Sequence, residues 1–191
     1  ADRGAGGVRR VWDASYAGIS FPARKTVVLR IRAPRSALYW RASTLERFSA
    51  DRWIENLYPV AAGAGDRVLR PDPLRGVAAR RAAGWIEQRV EVAAAVDDHL
   101  VAASEPVRLR GRELGRVAYF AGGVMRAQQV LARGQSYTVW SAVPQPTAAQ
   151  LARAGTRYPA ATSRYLELDR ASLLPFGAPG REAAVAALFR D

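Results

Sequence analysis

Alternation constrains this chain more than any other feature. In KTVVLRIRA, residues 25–33, Val27, Leu29 and Ile31 alternate with Val28, Arg30 and Arg32. A two-residue period puts the two sets on opposite faces of a strand, and arginine stems can cover a sheet while their heads reach water. Pro34 ends the pattern. It returns in GWIEQRVEVAAAV, where Ile86, Val90 and Val92 face one way and Glu87, Arg89 and Glu91 the other. It returns again in SYTVWSAVP, where Tyr137, Val139 and Ser141 oppose Thr138 and Trp140. Strong strands are therefore expected at 25–33, 38–48, 84–96 and 135–143, with shorter pieces in EPVRLRG, RVAYFAG and VMRAQQVLA. Residues 57–84 hold Pro59, Pro71, Pro73, Gly63, Gly65, Gly76 and Gly84. They read as a long connection with at most a short strand near Val68 and Leu69. Helix signals come late: Thr147 can cap AAQLARAG, and GREAAVAALFRD reads as the start of a second helix. Many short strands separated by glycine and proline predict a mainly β chain. The expected architecture is an antiparallel β-sandwich or partly open barrel with one or two short C-terminal helices.

The residue inventory removes whole classes of chemistry. The 191 residues include no cysteine, so disulfides, thiolate metal sites and cysteine nucleophiles are excluded from this segment. His99 is the single histidine, which excludes a histidine-rich metal site and a second imidazole base. No apolar run approaches the ~20 residues of a membrane-spanning helix. The start, ADRGAGG, is polar and glycine-rich, unlike a signal peptide. The net charge is +12, and every basic residue except Lys25 is arginine. The excess is spread along the chain with no basic tail, and a nucleic-acid binder usually shows a clustered patch or a known motif. The bland reading, a solvated arginine-rich surface, is preferred to specific nucleic-acid binding. Contact with an anionic membrane or an envelope polyanion stays open.

Candidate chemistry is sparse. His99 follows Asp97 and Asp98, and a histidine beside carboxylates can be a base or a metal ligand. Adjacent strand residues point to opposite faces, however, so His99 is read as a turn or strand-end residue. No G-x-S-x-G elbow or glycine-rich phosphate loop occurs, and no cofactor is indicated. Glu87 and Glu91 read as ordinary solvent-face residues. Tyr39, Trp40, Phe48, Trp53 and Tyr58 fall within twenty residues, interleaved with Arg41, Arg47 and Arg52. Such a set can stack on single-stranded nucleic acid or sugar. It can equally form a hairpin with arginine–aromatic stacking against a β-core, which is the reading preferred here: Trp40 and Trp53 are expected to be core or hairpin anchors.

The segment YWRASTLERFSADRW, residues 39–53, resembles a stretch of bacterial transglutaminase-like membrane proteins. That pattern reads roughly aromatic-W-R-G-x-T-L-D-x-F/Y-D-G-x-x-W, and Trp40, Arg41, Thr44, Leu45, Phe48 and Trp53 match it as structural residues. Ala42, Glu46 and Ala50-Asp51 depart from it. The preceding VVLRIRAP fits the strand that leads into the motif. SYTVWSAVPQPTAAQLARA, the Tyr158-Pro159 pair and RYLEL at 164–168 resemble later landmarks, so the likeness runs from about residue 8 to 168. The resemblance implies an extracytoplasmic segment of the cell envelope, tethered by transmembrane helices of the longer protein. It further implies a papain-related, transglutaminase-like or cysteine-protease-like catalytic domain downstream, carrying a Cys–His–Asp triad. The triad has no positions to land on here, so no catalytic, cofactor or metal residue is assigned.

The expected organisation is a linker at 1–7, a β domain at 8–168, and a connector with a truncated helix at 169–191. The apolar residues of 181–189 are expected to pack on that catalytic domain. The expected function is a non-catalytic accessory domain that spaces, orients or recruits partners for the catalytic domain of the same chain and its membrane region. The alternative is an independent basic module for a polyanion or envelope glycan.

Overall fold

A computed structural model describes residues 25–34, 38–49, 52–64, 67–69, 72–74, 84–94 and 97–165. The expected linker at 1–7 and the expected helix at 181–189 lie outside these residues.

The longest alternating segments build the main sheet. Strands β1 (Leu29–Arg32), β6 (Arg67–Val68), β7 (Trp85–Val92), β9 (Pro106–Arg110) and β12 (Ser136–Ala142) form an antiparallel sheet in the order β1-β7-β12-β9-β6. Its inward face carries Val90, Val92, Leu109, Tyr137 and Val139, all buried. A second antiparallel sheet has the order β11-β10-β5, from β5 (Pro59–Ala64), β10 (Arg116–Phe120) and β11 (Val124–Ala127). Its Val117, Tyr119 and Met125 join the inward residues of the main sheet in one apolar cluster with Leu100 and Leu131. The architecture is thus mainly β, with two open sheets packed on a shared core and no closed barrel.

Two short pairs stand at one side: β2 (Trp40–Arg41) with β8 (Ala102–Ala103), and β3 (Arg47–Ser49) with β4 (Arg52–Ile54). Helix α1 (Ala148–Ala152) starts as the sequence predicts. Thr147 accepts from the Gln150 N–H, and the Gln150 side chain accepts from the Thr147 N–H, which is a capping box. A 3-10 segment at Ala160–Tyr165 follows. No helix of the described residues is long and apolar enough to cross a membrane.

Two strand expectations are corrected. The single strand over 38–48 is broken: residues 42–46 leave the sheet between β2 and β3. The long connection over 57–84 contains a six-residue strand, β5, paired with β10. PVAAGA has weak intrinsic strand preference, and only an edge position tolerates its proline. Tertiary pairing with the apolar β10 supplies what the sequence lacks.

Three inward polar side chains fasten the short pairs to the main sheet. Buried Gln88 accepts from Ala103 N–H at 2.7 Å and donates to the Ile86 carbonyl at 3.2 Å. Tyr137 Oη accepts from Val101 N–H at 2.7 Å and donates to the Val101 carbonyl at 2.9 Å. Ser141 donates to the Ala103 carbonyl at 3.0 Å. Buried polar groups with satisfied valences fix a unique arrangement. Here they hold β8, and through β8 the motif strand β2, in place.

Candidate functional site

The break between β2 and β3 makes the site. Arg41 at the end of β2 and Thr44, Leu45 and Glu46 from the freed segment line a cleft of about 470 Å³. Its lining includes Arg41, Thr44, Leu45, Glu46 and Trp53 from the motif region. Asp72, Glu105, Gly123 and Tyr165 come to it from distant parts of the chain. Of the six family-motif residues, Arg41, Thr44, Leu45 and Trp53 therefore meet at one place. Trp40 lies outside that lining, in β2. Phe48 is opposite Trp53 in the β3–β4 register, and its side chain lies outside the described set. Trp40 is 37% exposed and Trp53 48% exposed, so neither is a core side chain. Of the two places expected for them, core or hairpin, the core is excluded, because the aliphatic faces of the two sheets fill it, while Trp53 lies in the β3–β4 pair.

The cleft floor is held by Asp72, which is buried. One carboxylate oxygen accepts from Leu74 N–H at 2.8 Å; the other accepts from Tyr119 Oη at 3.0 Å and Gly123 N–H at 3.1 Å. Gly123 has φ +81°, and a Cβ there would lie 2.7 Å from Pro106 Cδ and 2.8 Å from Arg41 Nη2. Only glycine permits both that backbone conformation and this approach of Arg41. Glu105, beside it, has φ +54°, an uncommon conformation for a residue with a side chain.

Glu46 is the chemically unusual member. Its Oε1 accepts from Thr44 Oγ1 at 3.1 Å and Tyr165 Oη at 3.3 Å. Its Oε2 is shielded from solvent and accepts no hydrogen bond, and the nearest described cation is Arg164 Nη2 at 3.7 Å. Burial raises the Glu46 pKa above its ordinary 4.5, partly offset by the Thr44 hydrogen bond and the Arg164 charge. Burial likewise raises the Tyr165 pKa, helped by the Glu46 charge. Arg164 also stacks on Tyr58 and Tyr165, at 5.2 and 5.4 Å, and donates to the Asn56 carbonyl at 3.1 Å. The 3-10 segment thus closes over the β4–β5 connection and caps one wall of the cleft.

Behind the cleft lies a carboxylate–histidine cluster. His99 is 3% exposed. Its Nδ1 is 2.7 Å from Asp97 Oδ1 and 2.9 Å from Asp98 Oδ1, and its Nε2 is 2.9 Å from Glu55 Oε1. Asp98 lies in a bend and His99 makes an isolated bridge with Arg126, so the strand alternation expected of adjacent residues does not apply. Arg126 donates to Asp98 Oδ2 at 2.6 and 3.1 Å and reaches Glu55 Oε2 at 3.6 Å. The Asp98 hydrogen bond pushes its guanidinium further above the ordinary arginine range. Ser43 contacts Glu55 Oε1, which ties the motif loop to the cluster. The ligand atoms of Asp97, Asp98 and His99 lie within 4.8 Å of one another. Metal-like spacing is present, but the same atoms are engaged with His99 and Arg126. Both imidazole nitrogens face carboxylates, and the serine contacts a carboxylate instead of the ring. The arrangement does not activate a nucleophile; it pins the loop that carries the cleft. Glu87 pairs with Arg89 and Glu91 with Arg30 on the solvent face.

Glu55, Asp72, Tyr165 and Arg126 were not singled out from the sequence. Only Glu55 carried a local signal, two residues from Trp53 and so in phase with it along an extended segment.

Comparison with known proteins agrees with the motif. A family model described as the TgpA N-terminal domain matches residues 18–148. Two solved structures are similar, both of the periplasmic domain of TgpA from Pseudomonas aeruginosa. One is 17% identical with a TM-score of 0.46, over 74% of this chain and 43% of that one. The other, bound to ethylmercury, is 18% identical with a TM-score of 0.46, over 87% of this chain and 56% of that one. The chain therefore spans about half the length of those two domains. No curated protein matches it.

Proposed function

Since the chain belongs to the TgpA N-terminal domain family, we propose that it is the non-catalytic, extracytoplasmic accessory domain of a transglutaminase-like membrane protein, and that it holds the catalytic domain of the same protein in a fixed orientation. In this reading residues 8–168 are the accessory unit, 169–191 are the connector and truncated helix that lead to the catalytic domain, and the apolar residues of 181–189 pack against it.

One observation carries this reading: four of the six motif residues, Arg41, Thr44, Leu45 and Trp53, line a solvent-facing cleft outside the core. Trp53 leaves half its surface in water, Glu46 keeps a shielded oxygen without a hydrogen-bond donor, and Arg41 projects beside Gly123. Stability alone rewards none of these. An interface does, because aromatic and arginine side chains are the groups that dominate binding once a partner excludes water from them. The frame that holds them is rigid: Asp72 fixes the floor and the His99 cluster fixes the loop. Rigid placement is what an orienting domain needs, since a flexible link would let the catalytic domain tumble.

Hydrogen exchange tests the proposal. Amides of residues 41–54 are compared in this chain and in the longer protein containing the catalytic domain. Slower exchange of that loop in the longer protein, with the β7 and β12 amides unchanged, is expected. Equal exchange in both would remove the cleft from the interface.

A further inference from the structure

The outer face of the main sheet carries a charge pattern that the accessory role does not use. Antiparallel register aligns Arg32 with Arg89, Arg89 with Thr138, and Thr138 with Arg110. These four residues form one row across β1, β7, β12 and β9, spanning roughly 14 Å at the usual strand spacing. The row contains three guanidinium groups, one hydroxyl and no carboxylate. Its members line a depression of about 550 Å³ together with Arg30 and Arg112 and two carboxylates, Glu91 and Glu113. The next row on one side pairs Arg30 with Glu91 at 3.2 Å. On the other side Trp140 lies under Arg108 and Arg110, at 5.0 and 5.3 Å.

Like charges directly across a strand pair are destabilising, so the Arg32–Arg89 juxtaposition works against the fold. Arg89 reaches along its own strand to Glu87 at 2.8 Å, and Arg30 to Glu91. Both pairs are exposed, and exposed pairs are weak enough to exchange partners. The array is two-dimensional, three rows deep on an open sheet. A linear polyanion is matched by a groove; a planar field of anions is matched by a planar field of guanidinium groups. Guanidinium forks suit phosphate oxygens, and tryptophan favours the headgroup level of a bilayer.

We propose that this sheet face docks on a phospholipid bilayer surface through its anionic phosphate headgroups. The inference stands apart from the accessory reading, because it concerns residues that do not line the cleft and is tested on this chain alone.

Co-sedimentation with vesicles tests it. The chain is expected to remain in solution with phosphatidylcholine vesicles and to sediment with equimolar phosphatidylcholine and phosphatidylglycerol, and added salt should release it. The Arg32→Glu/Arg110→Glu double variant should lose at least about tenfold in partitioning, since each basic residue near an anionic surface contributes about 1 kcal/mol. The Arg133→Glu/Arg153→Glu variant changes net charge equally on other exposed positions and should bind as the parent does. Should the reversed pair fail to fold, Arg32→Gln/Arg110→Gln gives the same comparison and should show a smaller loss in the same direction. Equal losses in the two charge-matched variants would reduce the effect to net charge and overturn the proposal. So would binding to soluble heparin, but not to anionic vesicles, that disappears in the Arg32/Arg110 variant; that result would assign the face to a soluble polyanion.

Discussion

Leu109 and Trp53 belong to one fold under different rules. Leu109 lies in a central strand, 1% exposed, among aliphatic side chains from both sheets. Trp53 lies at the rim of a cleft, in a two-stranded pair, with half its surface in water. Around Leu109 every nearby polar group has a partner: Gln88, Tyr137 and Ser141 each close their hydrogen bonds on backbone groups. Around Trp53 the valences stay partly open, most clearly at Glu46. The difference teaches what each region is for. The core is finished without a partner, whereas the cleft is the part that the proposed interface would complete.

The comparison is sharpened most by attacking the joint between the regions. His99→Ala should leave Asp97, Asp98 and Glu55 facing one another in a buried site without the imidazole that lies between them. Removing one partner from a buried ionic cluster typically costs about 3–5 kcal/mol, which urea unfolding would register. A loss comparable to a surface change would mean that the cluster is not holding the loop. Leu109→Ala comes next, at about 2–5 kcal/mol for a fully buried leucine, read by the same unfolding curve. An effect as small as that of Trp53→Ala would erase the distinction between the regions.

Glu46→Gln should give the smallest effect, and its sign depends on pH. Burial raises the folded-state pKa of Glu46 above 4.5, so the folded protein favours the protonated acid more than the unfolded chain does. That contribution is fully present below the unfolded pKa and fades as pH rises through the raised folded value. Glutamine keeps the acceptor that Thr44 and Tyr165 use and carries no charge. The variant's melting temperature should therefore gain on that of the parent as pH rises from below the ordinary 4.5 through the raised folded value. Parallel melting curves across that range would show that the carboxylate is not burdened by burial.

Much of this was legible in the residues. Alternation at Leu29–Arg32, Trp85–Val92 and Ser136–Ala142 announced the main sheet, because one face of each strand is buried and the other is wet. Thr147 announced its helix through local capping chemistry. What stayed hidden depends on contacts between distant positions. Strand β5 exists because β10 pairs with it, and PVAAGA alone does not say so. Tyr165 meets Glu46 across 119 positions, and His99 meets Glu55 across 44. The motif of Trp40, Arg41, Thr44, Leu45, Phe48 and Trp53 was visible as a pattern. That four of these residues would line a cleft could not be read from the pattern, since an aromatic–arginine stretch serves a core hairpin equally well.

The most direct test of the account separates stability from association at Trp53. The melting temperature of Trp53→Ala is measured on this chain, together with its Kd for the separately produced catalytic domain of the same protein. The account predicts an unfolding free energy within about 1 kcal/mol of the parent, as for other partly exposed positions. It also predicts a Kd weakened at least about tenfold, as for an aromatic anchor at an interface. A variant that melts several degrees lower and binds with the parent's affinity would contradict it, and would return Trp53 to the role of a purely structural residue.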